Sequence, residues 1–312
     1  MKALLKRYTR EASVAAAYVA LLALLAWYAP RFYQHQFARV WVSIAPVLVL
    51  AVGMSLVILT RNIDISVGWQ LSVCGIVAGL LARQGLPMPA VAAVAIILGA
   101  LMGAFNGVMV AMLGLPSIVV TLATMVILRK GLAWARQGEA VYGLPENFQW
   151  FGLGQAGGEL LIVLVAMAVF VLFAWALRWL AAGRAVYAVG SDHEAARLAG
   201  IRPRRVVLGV FLLMGALAGL AAILQSLRSP QVDPNAGKDL ELQVIAAVVV
   251  GGVAINGGRG TLIGVLLGVA LLGTVGSALV FLDVHSTWQR ALEGAIILVA
   301  VSSDAIRRRK AT

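Results

Sequence analysis

Residues 190–205 read GSDHEAARLAGIRPRR, a polar stretch held between apolar runs at roughly 160–180 and 206–226. Each flanking run is about 20 residues long, the length a helix needs to cross a bilayer core. Within the polar stretch, Ala195, Leu198, Ala199 and Arg202 fall at i, i+3, i+4 and i+7. Three small or apolar side chains therefore share one helical stripe, and His193, Glu194 and Arg197 take other faces. The spacing predicts a short amphipathic helix between two membrane spans, a shape suited to docking something soluble.

The rest of the chain agrees with that reading. Its 312 residues are 62% hydrophobic and only 12% charged, with a mean hydropathy of +0.94. One soluble core of this size has no room for so much apolar surface. The apolar runs are long and continuous rather than short and alternating, so the spans are helices, not barrel strands. The expected fold is an all-α polytopic membrane bundle forming a single domain over 1–312. Ten apolar segments are expected, at roughly 12–29, 41–60, 65–82, 89–113, 117–135, 160–180, 206–226, 241–257, 261–282 and 288–305.

Ten spans put both termini on one side. With that side cytoplasmic, the two densest basic clusters, 197–205 and 307–310, both face the cytoplasm, as the positive-inside rule requires. The net charge of +12 then reflects span ends, not a nucleic-acid partner. The start MKALLKRYTR followed by an apolar run resembles a signal peptide. Trp27 and Tyr28, however, stand where small cleavage-site residues belong, so a retained first span is expected. The single cysteine, Cys74, allows no intrachain disulfide. On the outer side, 136–159 and 227–240 are read as loops long enough to touch an extracytoplasmic partner.

Small residues recur at every fourth position, as Gly99, Gly103 and Gly107, again as Gly260, Gly264 and Gly268, and in the pairs Gly75/Gly79 and Gly215/Gly219. Such spacing lets helix backbones approach closely in lipid. Packing within the subunit is the simpler reading, with a seam between subunits as the other. The two triplets hint at an internal repeat of two five-span halves.

No enzyme constellation is visible. H-E-x-x-H, G-x-S-x-G and the phosphate-cradling G-x-x-x-x-G-K-[ST] are all missing, and His35, His193 and His285 are far apart. Charge inside the spans is sparse. The candidates are Asp64, Glu241, and Arg290 with Glu293, the last two spaced to pair with each other. Asp64 is the second residue of the run IDISVG at 63–68, where a carboxylate caps the next helix or lines a pathway. Few charges suit a neutral polar solute rather than proton coupling. With no fuel of its own, the bundle is either driven through 190–205 by a partner that hydrolyses nucleotide, or it is an ATP-independent channel or secondary carrier. A non-transporting scaffold is a further alternative.

Four blocks resemble the permease subunits of the ribose, rhamnose and autoinducer-2 group of bacterial ABC importers. TRNIDISVG at 60–68 is similar to the family's T-G-G-I-D-L-S-V-G, with Arg61 and Asn62 replacing two glycines. FNGVMVAMLGLPSIVVTLATM at 105–125 resembles its N-G … P-x-[IF]-[IV]-x-T-L-G-T-M block, with Ala123 where glycine is usual. Gly183 and the run RAVYAVGSDHEAARLAGI at 184–201 are similar to G-R-x-x-Y-A-x-G-x-N-x-x-A-A-x-x-[AS]-G-I, with His193 at the asparagine position. ELQVIAAVVVGGVAINGGRGTLIGVLLG at 241–268 resembles E-L-x-x-I-A-A-V-V-x-G-G-x-S-x-x-G-G-x-G, with Ala254 where serine is common. The likeness covers roughly 40–305.

The resemblance implies a pore of two permease subunits, the second identical or paralogous. It also implies two cytoplasmic ATPase domains and a periplasmic solute-binding protein, working in the bacterial inner membrane. ATP and Mg would bind the partner ATPase, with no cofactor or metal on this chain. The family's coupling loop matches about 183–205. That assigns Asp192, Glu194, Ala195, Arg197, Leu198, Gly200 and Ile201 as ATPase contacts. Asp64, Asn106, Pro116, Thr121 and Glu241 are the candidate pathway or gate residues. The T-R-N-I-D form leans toward the autoinducer-2 and rhamnose permeases.

Overall fold

The computed structural model describes residues 9–284 and four isolated positions, 288, 291, 294 and 295, beyond them. The tenth apolar segment, the Arg290–Glu293 pair, His285 and the 307–310 cluster lie outside the described residues, apart from those isolated positions. The described chain is all helical. In order the helices are α1 (Thr9–Tyr28), α2 (Pro30–His35), α3 (Phe37–Leu59), α4 (Val67–Arg83), α5 (Met88–Ala111) and α6 (Ser117–Arg136). A 3₁₀ turn at Gln149–Gly152 follows, then α7 (Gly154–Trp179), α8 (Ala181–Ser191), α9 (His193–Leu198), α10 (Pro203–Ser226), α11 (Leu240–Val250) and α12 (Leu262–Phe281).

Seven of these are long and apolar enough to cross a membrane: α1, α3, α5, α6, α7, α10 and α12. Two shorter apolar helices, α4 and α11, add to them. Together they account for nine of the ten apolar segments expected. Prolines set several starts: Pro30, Pro89 and Pro203 lie at the first helical positions, and Pro116 immediately precedes α6. There the missing N–H costs nothing, because the first N–H groups of a helix have no internal partner.

Helix α3 is the central post, with 89% of its membrane window buried against 6% for α1. Next to it, α5 and α10 pack with their backbones in contact. A Cβ at Gly99 would sit 2.1 Å from the carbonyl oxygen of Gly215, and one at Gly103 would sit 2.2 Å from that of Phe211. Gly215 and Gly219 meet α5 equally closely from the other side. In this region the small-residue stripes bring helices together inside one subunit.

Three sequence expectations are corrected. The eighth apolar segment, 241–257, is helical only to Val250. Its remainder runs GGVAINGGRG, with Gly252, Gly257, Gly258 and Gly260 at positive φ. Val253, Ala254 and Ile255 keep this stretch apolar while the glycines bend it out of the helix. Gly260 therefore precedes α12 and does not share a stripe with Gly264 and Gly268. Those two glycines do meet a neighbour closely, at the backbone of Gly251 and Ala247.

The second correction concerns 227–239, which is not a free outer loop. Val232 is buried, and its N–H and C=O both bond to Val141. Gly237 donates to Ser72 Oγ at 2.9 Å, against the second turn of α4. The segment thus dips into the bundle alongside α4, and α11 starts part-way through. Its 11 residues span about 16 Å, roughly half a bilayer core.

The third concerns 190–205. The expected short helix, α9, is six residues long and stops at Leu198; Gly200 follows at φ +82°. Arg202 lies beyond it, off the expected stripe. Ala196 is the residue of this helix that faces inward, while Ala195, Leu198 and Ala199 of the stripe are exposed.

Candidate functional site

One end of the bundle carries the loop 60–66, and a polar network buried in the helices grows from it. Asp64 Oδ1 accepts from the backbone N–H of Ser66 at 2.9 Å and from Ser66 Oγ at 2.6 Å. Gln70 Nε2, one turn into α4, donates to Asp64 Oδ2 at 3.2 Å and to Ser66 Oγ at 2.7 Å. Asn106 of α5 donates to the same Ser66 Oγ at 2.9 Å, and Thr124 of α6 donates to Asn106 Oδ1 at 2.7 Å. Thr121 accepts from the N–H of Ile65 at 3.2 Å and donates to the carbonyl of Ser117 at 2.9 Å. All of these side chains are buried. A polar group in such a place is tolerated only when it is hydrogen-bonded. The network meets this except at Gln70 Oε1, which is buried without a partner, and it ties the loop, α4, α5 and α6 into one unit.

Three candidate pathway residues, Asp64, Asn106 and Thr121, are therefore in one network, and Pro116 sits at the foot of the same α6. Glu241 stands apart, near the start of α11 against Gly68, 7% exposed and with Oε2 unpartnered. Sequence reasoning missed Ser66, Gln70 and Thr124. The available signal was spacing, with Ser66/Gln70 at i, i+4 and Thr121/Thr124 at i, i+3, polar pairs in otherwise apolar runs.

At the same end, α8 and α9 meet at Asp192. Asp192 Oδ1 accepts from the N–H groups of Glu194 and Ala195, both at 2.9 Å, and so caps α9. These backbone bonds, to Ala195 first and then Glu194, hold the carboxyl below its ordinary value; Arg61 and His193 add smaller contributions. Arg197 pairs with Glu194 on the exposed surface. Leu198 is 78% exposed, and Ala195 and Gly200 are exposed beside it; Ile201 is half-buried. An uncovered leucine beside an ion pair makes an apolar tip with a polar rim. Between this segment and the ends of α3, α5 and α6 lies a cavity of about 570 Å³, lined by Asn62, Pro116, Ser117, His193 and Arg204 among others. Among the described residues no group of His, Cys, Asp and Glu could hold a metal ion.

A polar network buried among long apolar helices, with an exposed apolar tip at one end, describes a multi-pass helical membrane protein. The model of a permease family, the branched-chain amino acid transport system / permease component, matches residues 36–301, and the chain belongs to that family. Over 304 residues it is 35% identical to the ribose import permease protein RbsC of Escherichia coli (strain K12), covering 96% of this chain and 95% of the relative. It is 34% identical over 313 residues to the autoinducer 2 import system permease protein LsrC of Enterobacter sp. (strain 638), covering 100% and 91%. The LsrC of Escherichia coli O157:H7 is 36% identical over 297 residues, covering 91% and 85%. No solved structure matches the chain significantly. The relatives and the apolar helices make this a multi-pass inner-membrane permease subunit.

Proposed function

We propose that this chain is the transmembrane subunit of an ATP-driven importer that moves a sugar or sugar-like solute of the ribose, rhamnose or autoinducer-2 type. The observation that carries the reading is the uncovered Asp192-capped helix α9, joined to relatives named as import permeases. In this reading the chain makes ten spans with both termini cytoplasmic, so 190–205 faces the cytoplasm. A second permease subunit completes the pore. Two ATPase domains, which bind ATP and Mg, dock on Ala195, Arg197, Leu198, Gly200 and Ile201. A periplasmic binding protein delivers the solute to the surface formed by 136–159 and the exposed positions of 227–240, such as Gln231, Asp233 and Lys238.

Import then proceeds by alternating access. Closure of the ATPase pair moves the docking segment, and the bundle opens toward one side at a time. This needs two arrangements whose balance nucleotide shifts. The test is uptake in proteoliposomes containing the full complex, with ribose, rhamnose and autoinducer-2 as probes. Substituting Arg197→Ala and Leu198→Ala together should abolish ATP-driven uptake at unchanged protein levels. Uptake that persists without the ATPase would instead establish a channel or secondary carrier.

A further inference from the structure

The one charged residue in the turn between α3 and Asp64 has an unusual conformation. Arg61 has φ +64°, a left-handed backbone that glycine adopts freely and an arginine does not. Its side chain explains why it is held there. Arg61 Nε donates to the carbonyl of Gly190 at 2.6 Å, and Nη2 donates to the carbonyl of Ser191. Both carbonyls belong to the last turn of α8, where helix carbonyls have no internal partner and carry the negative end of the dipole. The next residue is Asp192, the cap of α9.

The backbones meet at the same point. A Cβ at Gly190 would lie 1.6 Å from the carbonyl oxygen of Leu59, so no side chain fits between them. Gly258 donates to that same carbonyl at 2.9 Å, and Tyr187 Oη donates to Gly260 O at 2.8 Å. The junction therefore gathers α8, the end of α3 and the 251–261 bend. Three residues after Arg61, Asp64 begins the buried network.

We propose that Arg61 is a positioning residue of the transport cycle. Its guanidinium fork clamps the base of the docking helix to the Asp64 loop, so that displacement of 190–201 is delivered to α4 and the Asn106–Thr124 network. This rests on the import reading above. Arginine suits the task because its rigid planar fork holds two carbonyls in a fixed geometry, whereas a lysine ammonium is a point charge on a flexible stem.

The discriminating variant is Arg61→Gly, which removes the fork and suits the left-handed backbone, so it does not strain the turn. In proteoliposomes holding the complete complex, the probe is whichever of ribose, rhamnose or autoinducer-2 the unaltered complex takes up. ATP hydrolysis should continue while solute moved per ATP falls about 5-fold or more, the lower end of ordinary site–site coupling. Arg61→Lys should lose coupling as well. A glycine or lysine variant with an unchanged ratio overturns the proposal. Hydrogen exchange on the unaltered complex gives an independent reading. Addition of ATP should alter exchange in both 190–201 and 60–66, and a change confined to 190–201 also overturns the clamp. A complete, unaltered complex with no ATP-dependent uptake would count against the import reading instead.

Discussion

Gly103 of α5 faces the carbonyl oxygen of Phe211 in α10 so closely that an added Cβ would lie 2.2 Å from it. The obstacle is backbone, which has no rotamer to escape into. Gly103→Ala should therefore force α5 and α10 apart and cost about 1–3 kcal/mol, the usual range for overpacking. Gly131→Ala is the control: its site in α6 is open, and alanine is the better helix former by about 1 kcal/mol. Thermal unfolding of the purified protein in detergent should show Tm lowered by the first change and held or raised by the second.

The Thr124–Asn106 hydrogen bond, 2.7 Å long, lies inside the network that joins α5 and α6. Replacing Asn106 by alanine leaves the Thr124 hydroxyl without its acceptor, at a cost of about 1–3 kcal/mol. The coupling between the two positions should be smaller. A double-mutant cycle of Asn106→Ala and Thr124→Val is expected to give about 0.6 kcal/mol and no more than about 1.7, as for interhelical bonds in other membrane proteins.

Asp192 sets a pH dependence with a definite sign. Its folded carboxyl titrates below the unfolded one. Its contribution to α9 is therefore complete above the unfolded value of about 3.9, and it is lost as pH falls through the lower folded value. Amide protection at Glu194 and Ala195 should hold from neutral pH to below about 4 once intrinsic exchange rates are corrected for pH. Asp192→Asn should retain protection, since asparagine also caps, and Asp192→Ala should lose it at every pH. Hydrogen exchange read by mass spectrometry checks all three.

Gly237 fits against Gly68 with no room to spare, a Cβ there lying 1.7 Å from the Gly68 carbonyl oxygen. Gly237→Ala should push 227–239 off α4. Val232, now buried, would then be uncovered. With Cys74→Ser and Val232→Cys in place, a membrane-impermeant maleimide should label position 232 slowly in the parent and at least about tenfold faster once Gly237→Ala is added, the ratio for loss of about 1.4 kcal/mol of protection. Equal labelling rates would refute the insertion of this segment.

Much of the fold was legible as hydropathy. Apolar runs such as 41–60 and 206–226 appear as α3 and α10 within a few residues, because a backbone in lipid must satisfy its own hydrogen bonds and a continuous apolar run does so as a helix. The polar 190–205 stretch was equally plain as a break between spans. The candidate site was legible only in parts. Asp64 stood out as a charge among apolar residues, and Asn106 and Thr121 through the family resemblance, but their common network did not, since Ser66 and Asn106 are 40 residues apart in the chain.

Glycines mark the boundary between the two kinds of information. The four-residue spacing of Gly99 and Gly103 announces close packing without naming Gly215 and Phe211 as what they pack against. In 251–261 the apolar composition conceals the positive-φ glycines that end α11 early. By itself, the sequence determined that this is a helical membrane chain, about where its spans run and where a polar segment interrupts them, because all of these follow from local hydropathy and period. Tertiary structure alone decided which helices touch, that 227–239 enters the bundle, and that Arg61 holds carbonyls 129 and 130 residues away. Those outcomes depend on shape and hydrogen-bond geometry between segments remote in the chain, which no local pattern encodes.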